Sequence, residues 1–439
     1  MSDNDRKTAW FGGVAIALLL LTWATAPRIT MPEVFADRGE VLFPQFRDPN
    51  AAASLEVIQF DAQNATVRPF KVQNRNGRWT IPSQHDYPTD AKDRLATTAA
   101  AIIALRRDDF ATDNAADHER SGVLDPLDTA LPTLNGRGTR LIVRDAQDQP
   151  LADVIIGNPV ENSPGFRYVR QPGQRRVYAS KIGELKVSTA FGDWIERDLL
   201  QAGADEIDAV NIRNYSLDRS TGRITPGDTI LLQFNRDNEW TINNRAANEE
   251  LDPAALDGLL RNLASLTIAG VLPKPSGITA TLTNAVGSAT INDEDRADLA
   301  RKGFYLASNG QLVSNRGEMV VRTTRGVFYT LRFGDIAPGT EAPADAAPTP
   351  AADAPAPAGD APPPPPVARE NRYLFIMVDH DPQAASTPGR ASEGEDRTKL
   401  LRARFAPWYY VIAADSFAAI QLSRRDLVRP RTAATANPR

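Results

Sequence analysis

The chain has 439 residues, 42% of them hydrophobic, a formal net charge of −5 and no cysteine. That length divides into more than one core. The mild acidity leaves no basic surface for nucleic acid, and the missing thiols exclude disulfides, thiolate zinc sites and cysteine nucleophiles.

Residues 8–26, TAWFGGVAIALLLLTWATA, carry no charge. At 1.5 Å per residue they reach roughly 28 Å as a helix, close to the thickness of a bilayer's hydrocarbon core. Trp10 and Trp23 sit near the two ends, where indole rings favour the membrane interface. Residues 1–30 therefore read as a cytoplasmic stub and an uncleaved transmembrane signal anchor. The rival reading is a secretory signal peptide cut after Ala24-Thr25-Ala26, although Pro27 then stands where cleavage is poor. Arg6 and Lys7 favour a cytoplasmic N-terminus. The expected location is the bacterial inner membrane, single-pass, with the bulk of the chain periplasmic.

The tripeptide Trp-Thr-Ile occurs twice, at Trp79-Thr80-Ile81 and Trp240-Thr241-Ile242. After the first copy, Leu95, Ala99, Ile102 and Leu105 follow helical spacing; after the second, Leu256, Leu260, Leu263 and Leu266 do the same. Asp252-Pro253 reads as an N-cap and first-turn proline. Ala116-Asp117-x-x-Arg120-x-Gly122 matches Ala297-Asp298-x-x-Arg301-x-Gly303, a short helix closed by a glycine in each case. Strand patterns follow at 135–158 and 315–335, then the hairpin FRYVRQPGQRRVYASKI around Pro172-Gly173, whose counterpart is split between RYLFIMVD and PWYYVIAADSF.

The recurring phrases predict an α+β chain: a transmembrane helix followed by two tandem copies of a mixed strand/helix module, over 50–202 and 203–428. Within the second copy, the Pro/Ala-rich stretch 336–367 reads as an inserted disordered loop and 381–404 as a polar loop. Residues 429–439 read as a basic disordered tail. Both Trp-Thr-Ile indoles are expected to pack inside.

Chemistry-bearing patterns are sparse. There is no Gly-x-Ser-x-Gly elbow, no Ser-x-x-Lys and no phosphate-cradling Gly-Lys-Ser/Thr loop. The histidines are His85, His118 and His380, too few for an imidazole metal site, so no cofactor or metal is assigned. Asp379-His380-Asp381 is the best polar cluster, yet successive strand residues point to opposite faces. Asn292 to Asp295 reads as the acidic first turn of a helix. Tyr373, Trp408 and Tyr409 are candidate exposed aromatics for ligand or partner contact.

The Trp-Thr-Ile strand with its helix, LIVRDAQDQPLADVIIGN with the arginine-rich FRYVR…RRVYASKI hairpin, and RGEMVVRTTRGVFYTLRFGD resemble bacterial proteins containing the domain of unknown function 4340. The resemblance implies no catalytic residues. Members are often encoded beside an ABC-transporter permease and an auxiliary protein similar to gliding-motility transport components, which implies such a partner. The expected function is a non-enzymatic, membrane-anchored extracytoplasmic subunit serving as an interaction or ligand-contacting platform for an ABC-type complex. The alternatives are an envelope polysaccharide or peptidoglycan binding protein, using the three aromatics, and an unrecognised hydrolase using Asp379, His380 and Asp381.

Overall fold

The computed structural model describes residues 37–219, 221–235, 237–281, 291–307, 310–338, 370–386 and 389–431, with isolated positions at 10, 15, 16, 18, 21 and 22. Most of the expected anchor, 8–26, lies outside the described residues. Among the described residues no helix is long and apolar enough to cross a membrane.

The expected α+β chain led by a transmembrane helix is corrected. The described residues are mostly β-sheet, with 21 strands in four sheets and few helices. The physical reason lies in segment length. Helical spacing at 92–103 and 253–264 yields real helices, each 12 residues long. The short helix expected at Ala116–Gly122 closes only as the 3₁₀ turn Ala115–Asp117, while its counterpart forms the nine-residue helix Asp293–Arg301. A short helix gains little against its nucleation cost unless packing supports it, whereas alternating segments gain ladder bonds and a buried face.

The chain separates into two compact units. The first comprises Met1–Ala53, Val57–Pro69 and Leu95–Val187; the second comprises Ser54–Glu56, Phe70–Arg94 and Ser188–Arg439. The first four strands in chain order are β1 (Ser54–Asp61), β2 (Thr66–Arg75), β3 (Arg78–Ile81) and β4 (Tyr87–Pro88). Next come β5 (Asp109–Thr112), β6 (Thr139–Arg144), β7 (Pro150–Pro159), β8 (Phe166–Arg170) and β9 (Val177–Lys181).

In the first unit the strand order is β1-β6-β7-β8-β9-β5. Its core includes Val57, Ile58, Leu141, Val143, Val154 and Val169. Leu95, Ala99, Ile102 and Leu105 are all buried, so the helical stripe read from sequence is the buried face. Arg140 reaches across from β6 to β7 and donates to both carboxylate oxygens of Asp153, at 2.9 and 2.7 Å. Such a bidentate pair fixes register as well as charge. Gly122 takes φ +68°, and a Cβ there would stand 2.6 Å from Asn158 Oδ1, so both conformation and space require glycine.

The second unit holds the end of β2 paired with β3, and β3 paired with β4. Its main sheet uses β10 (Ile207–Leu217), β11 (Ile224–Phe234) and β12 (Trp240–Ile242). Beyond them are the short β13 (Glu249–Leu251), then β14 (Gly270–Pro273), β15 (Phe304–Leu306) and β16 (Leu312–Ser314). The last five are β17 (Glu318–Thr323), β18 (Val327–Ile336), β19 (Arg372–His380), β20 (Trp408–Ile412) and β21 (Val428–Pro430). Eight of them form one sheet in the order β12-β11-β10-β17-β18-β19-β20-β14.

β18 and β19 flank the Pro/Ala-rich stretch and pair directly, from Val327 with His380 to Ile336 with Arg372. Ile336 thus closes a strand, and residues 339–369 lie outside the described residues. The 381–404 stretch, expected as a loop, carries a 3₁₀ turn at Pro382–Ala384 and most of the 15-residue helix Ala391–Phe405. Its apolar residues are thinly spread, but Thr398, Leu401 and Phe405 fall on one buried face. The expected basic tail begins as strand instead. β21 pairs with β13, and Arg429 Nε donates to Glu250 at 2.7 Å.

Both Trp-Thr-Ile segments are short strands paired antiparallel with the strand before them, Asn74 opposite Trp79 and Phe234 opposite Trp240. Ile81 and Ile242 are buried, whereas both indoles are only half-buried, which corrects their expected core packing.

The helix Pro253–Ala264 begins as its sequence implies: the Asp252 side chain accepts from the Ala254 N–H at 2.9 Å, and Pro253 occupies the first turn. Leu256, Leu259, Leu260 and Leu263 are buried beneath it. Asp252→Ala is expected to lower stability by about 1 kcal/mol, and Asp252→Asn by much less. Urea midpoints of the two variants check this; equal losses would show that the cap bond is not the cause.

Candidate functional site

Asp379, His380 and Asp381 end β19 without converging on a common point. The Asp379 carboxylate accepts from Arg402 Nη2 at 2.7 Å, and Arg402 also donates through Nε to the Val378 carbonyl. Arg402 belongs to the helix Ala391–Phe405, so Asp379 serves to dock that helix. His380 lies against Gly394 of the same helix, where a Cβ would be 2.8 Å from Nε2 and 2.2 Å from the Arg325 carbonyl oxygen. Asp381 caps the following turn by accepting from the Gln383 N–H at 2.9 Å. Among the described residues no group of three His, Asp or Glu side chains is placed to hold a metal ion. His118 is buried and its Nε2 donates to the Arg175 carbonyl at 2.8 Å. Asn292 caps the helix Asp293–Arg301 by accepting from the Asp295 N–H.

The three candidate aromatics part company. Tyr409 is fully buried, which removes it from the expected exposed set. Tyr373 is half-buried against the apolar cluster of Phe304, Phe375 and Tyr409. Trp408 meets Tyr87 edge-on at 5.0 Å. β20 pairs along its edges with β19 and β14, and Tyr409 is buried by the Phe304 and Phe375 rings packed against it.

Around Tyr409 the structure builds a polar centre inside this aromatic cluster. The Tyr409 hydroxyl donates to Asp298 Oδ2 at 3.0 Å, and Lys302 Nζ donates to Asp298 Oδ1 at 2.5 Å. Burial, with the Asp298 charge beside it, holds the Tyr409 hydroxyl well above its ordinary pKa. Burial also works upward on Asp298, but hydrogen bonding and charge from Lys302 outweigh it and leave the carboxyl below its usual range. Lys274 lies nearby with Nζ 3.7 Å from the Phe375 ring centre and donates to the Phe405 carbonyl at 3.1 Å. Burial pushes its pKa down to about 7. Tyr409→Phe is expected to cost about 1–2 kcal/mol, the contribution of a buried hydrogen bond to a charged acceptor. Thermal unfolding checks it, and no change in midpoint would mean that Lys302 and Arg301 suffice for Asp298.

An accessible site lies elsewhere in the second unit. A cleft of about 540 Å³ is lined by Asp205, Phe234, Trp240, Asp257, Leu260 and Arg261. Phe234 and Trp240 face each other across β11 and β12, ring centres 5.8 Å apart and tilted by 54°. Phe234 is 41% exposed, unusual for a large apolar side chain with an aromatic neighbour at a sheet end. Asp257 and Arg261 stand on the exposed face of the Pro253–Ala264 helix, whose buried face supplies Leu260. A second cleft of about 500 Å³ is lined by Glu196, Asp198, Gln201, Gly203, Ala264 and Arg397. Burial, then the neighbouring Glu196 charge, raises the Asp198 carboxyl above its usual pKa. Arg397 is held there by donating to Gln201 Oε1 at 2.6 Å.

Residues 79–286 match the model of a family described as a domain of unknown function, DUF4340. The chain carries a DUF4340 domain. No curated protein and no solved structure matches it.

The DUF4340 match contains Asp205, Phe234, Trp240, Asp257 and Arg261, whereas Asp379, His380, Asp381, Trp408 and Tyr409 lie beyond its end. Sequence reading missed this cleft. The available signal was Trp240 with Phe234 six residues before it, two large aromatics bracketing a polar turn at 235–239. That spacing places them side by side once β11 and β12 form a hairpin.

Proposed function

We propose that this DUF4340 protein is a non-enzymatic contact subunit of the bacterial envelope, working from the periplasmic side with an ABC-type transport complex. The observation that carries the contact role is the open cleft at Phe234 and Trp240. An aromatic pair, Phe234 exposed and Trp240 half-buried, rimmed by charged side chains is the ordinary make-up of a binding surface, apolar at its centre and polar at its edge. Asp205, Asp257 and Arg261 take part in no ion pair among the described residues, so their charges are open to a ligand. The transport partner follows from the resemblance to bacterial proteins encoded beside a permease and a gliding-motility-like auxiliary protein.

Affinity purification of the tagged full chain from native membranes in gentle detergent tests the partner. Enrichment of an ATPase and a permease is the expected result; clean recovery without either would refute the transport assignment.

A further inference from the structure

The two clefts of the second unit adjoin. Gly203 lines one, and Ala204 and Asp205 line the other. On the helix Pro253–Ala264, Asp257 and Arg261 line one cleft and Ala264 the other. From Asp257 to Ala264 that helix rises about 10 Å, longer than one small ring. A ligand running along this helix would meet aromatic rings in one cleft and hydrogen-bonding side chains in both.

The charges along it are uneven. Glu196, Asp198, Asp205 and Asp257 face it with Arg261 and Arg397. Carboxylates outnumber guanidinium groups, which disfavours a phosphate-bearing or otherwise polyanionic ligand. The Phe234 and Trp240 rings offer apolar faces to a flat, weakly apolar ring. Glu196 and Asp198 each use one oxygen on a backbone N–H, at 2.9 and 3.0 Å, and keep the other for hydroxyl donors.

A ligand matching this pattern has ring faces without charge, many hydroxyl or amide groups, and repeating units along one direction. We infer that the two clefts act as one groove that binds a neutral or amino-sugar glycan chain several residues long, the Phe234–Trp240 pair stacking on a sugar ring while the carboxylates and Arg261 take its hydroxyls. The inference rests on the contact-subunit reading and specifies its ligand.

The test titrates the purified full chain in detergent with an N-acetylglucosamine hexamer, read by calorimetry. Saturable binding is expected, with the dimer at least about ten-fold weaker because it cannot fill the groove. Trp240→Ala should weaken hexamer binding at least about ten-fold, while Trp240→Phe keeps most of it and reports that the strand still folds. Trp79→Ala, outside the groove, should leave it unchanged. Absence of saturable binding overturns the glycan assignment, as does hexamer affinity indifferent to Trp240→Ala. Preference for a phosphate-bearing polymer or a proline-rich peptide overturns it as well. If any of these occurs while the ATPase and permease still co-purify, only the ligand is wrong; loss of both results removes the contact-subunit reading too.

Discussion

Lys274→Met is expected to raise stability at neutral pH by about 2–4 kcal/mol, an unusual sign for a substitution in a packed core. Lys274 is 8% exposed and has no carboxylate partner among the described residues; its ammonium is offered one carbonyl and the faces of Phe375 and Tyr409. A fall in pKa from 10.5 to about 7 corresponds to at most about 5 kcal/mol of destabilisation when the group is charged in both states. Methionine fills a similar volume without the charge, and leaving the Phe405 carbonyl unpaired takes back about 1–3 kcal/mol.

The pH dependence has a definite direction. Below about pH 7 the lysine is protonated folded and unfolded, and the full burial cost is present. Between about 7 and 10.5 the unfolded chain binds more protons than the folded one, so stability rises with pH across that window. Urea midpoints of the parent chain should therefore climb from pH 7 toward pH 10 relative to those of Lys274→Met. Parallel curves for the two proteins would show that Lys274 reaches solvent and keeps an ordinary pKa.

The second large effect runs the other way. Glu318 on β17 and Arg332 on β18 are 9% and 8% exposed, and Glu318 Oε2 lies 3.1 Å from Arg332 Nε. Arg213 on β10 donates to the other oxygen at 2.9 Å. One carboxylate therefore serves guanidinium groups from both neighbouring strands. Burial already lowers the Arg332 pKa with Glu318 present. Glu318→Ala strands a buried cation and is expected to cost about 3–5 kcal/mol. Replacing both members, Glu318→Leu with Arg332→Met, should recover most of that, since the desolvation penalty disappears along with the pair. Denaturant midpoints of the three proteins decide it. A double variant as unstable as the single one would mean that the pair sets strand register and is not merely a matched charge.

How much was legible in the sequence differs by element. The helices over 92–103 and 253–264 were legible because each is long enough to show a full apolar stripe, and every residue of both stripes is buried. The Asp252-Pro253 start was equally plain, because a cap is a local interaction between neighbours. Gly122 and Gly303, legible as glycines closing a short helix, take φ +68° and +85°. The helix Ala391–Phe405 was not legible. Its polar sequence hides a narrow buried face that becomes worthwhile only against β19, where Arg402 finds Asp379 and Gly394 admits His380.

The candidate site was the least legible part. Asp379, His380 and Asp381 are adjacent in sequence, but a strand end sends them to a docking arginine, a helix glycine and a turn cap. Tyr409 looked like its neighbour Trp408 until Phe304 and Phe375 closed around its ring. The sequence by itself determined the absence of thiol chemistry, the two long helices, the Asp252 cap of the second and the paired strands around Trp79 and Trp240, all set by composition or by short-range periodicity. Only the tertiary structure decided that β-sheet dominates, that Lys274 is buried without a counter-charge among the described residues, and that Asp205, Phe234, Trp240, Asp257 and Arg261 line one cleft. Those are outcomes of which distant segments meet, and burial and electrostatics depend on that meeting and not on neighbours along the chain.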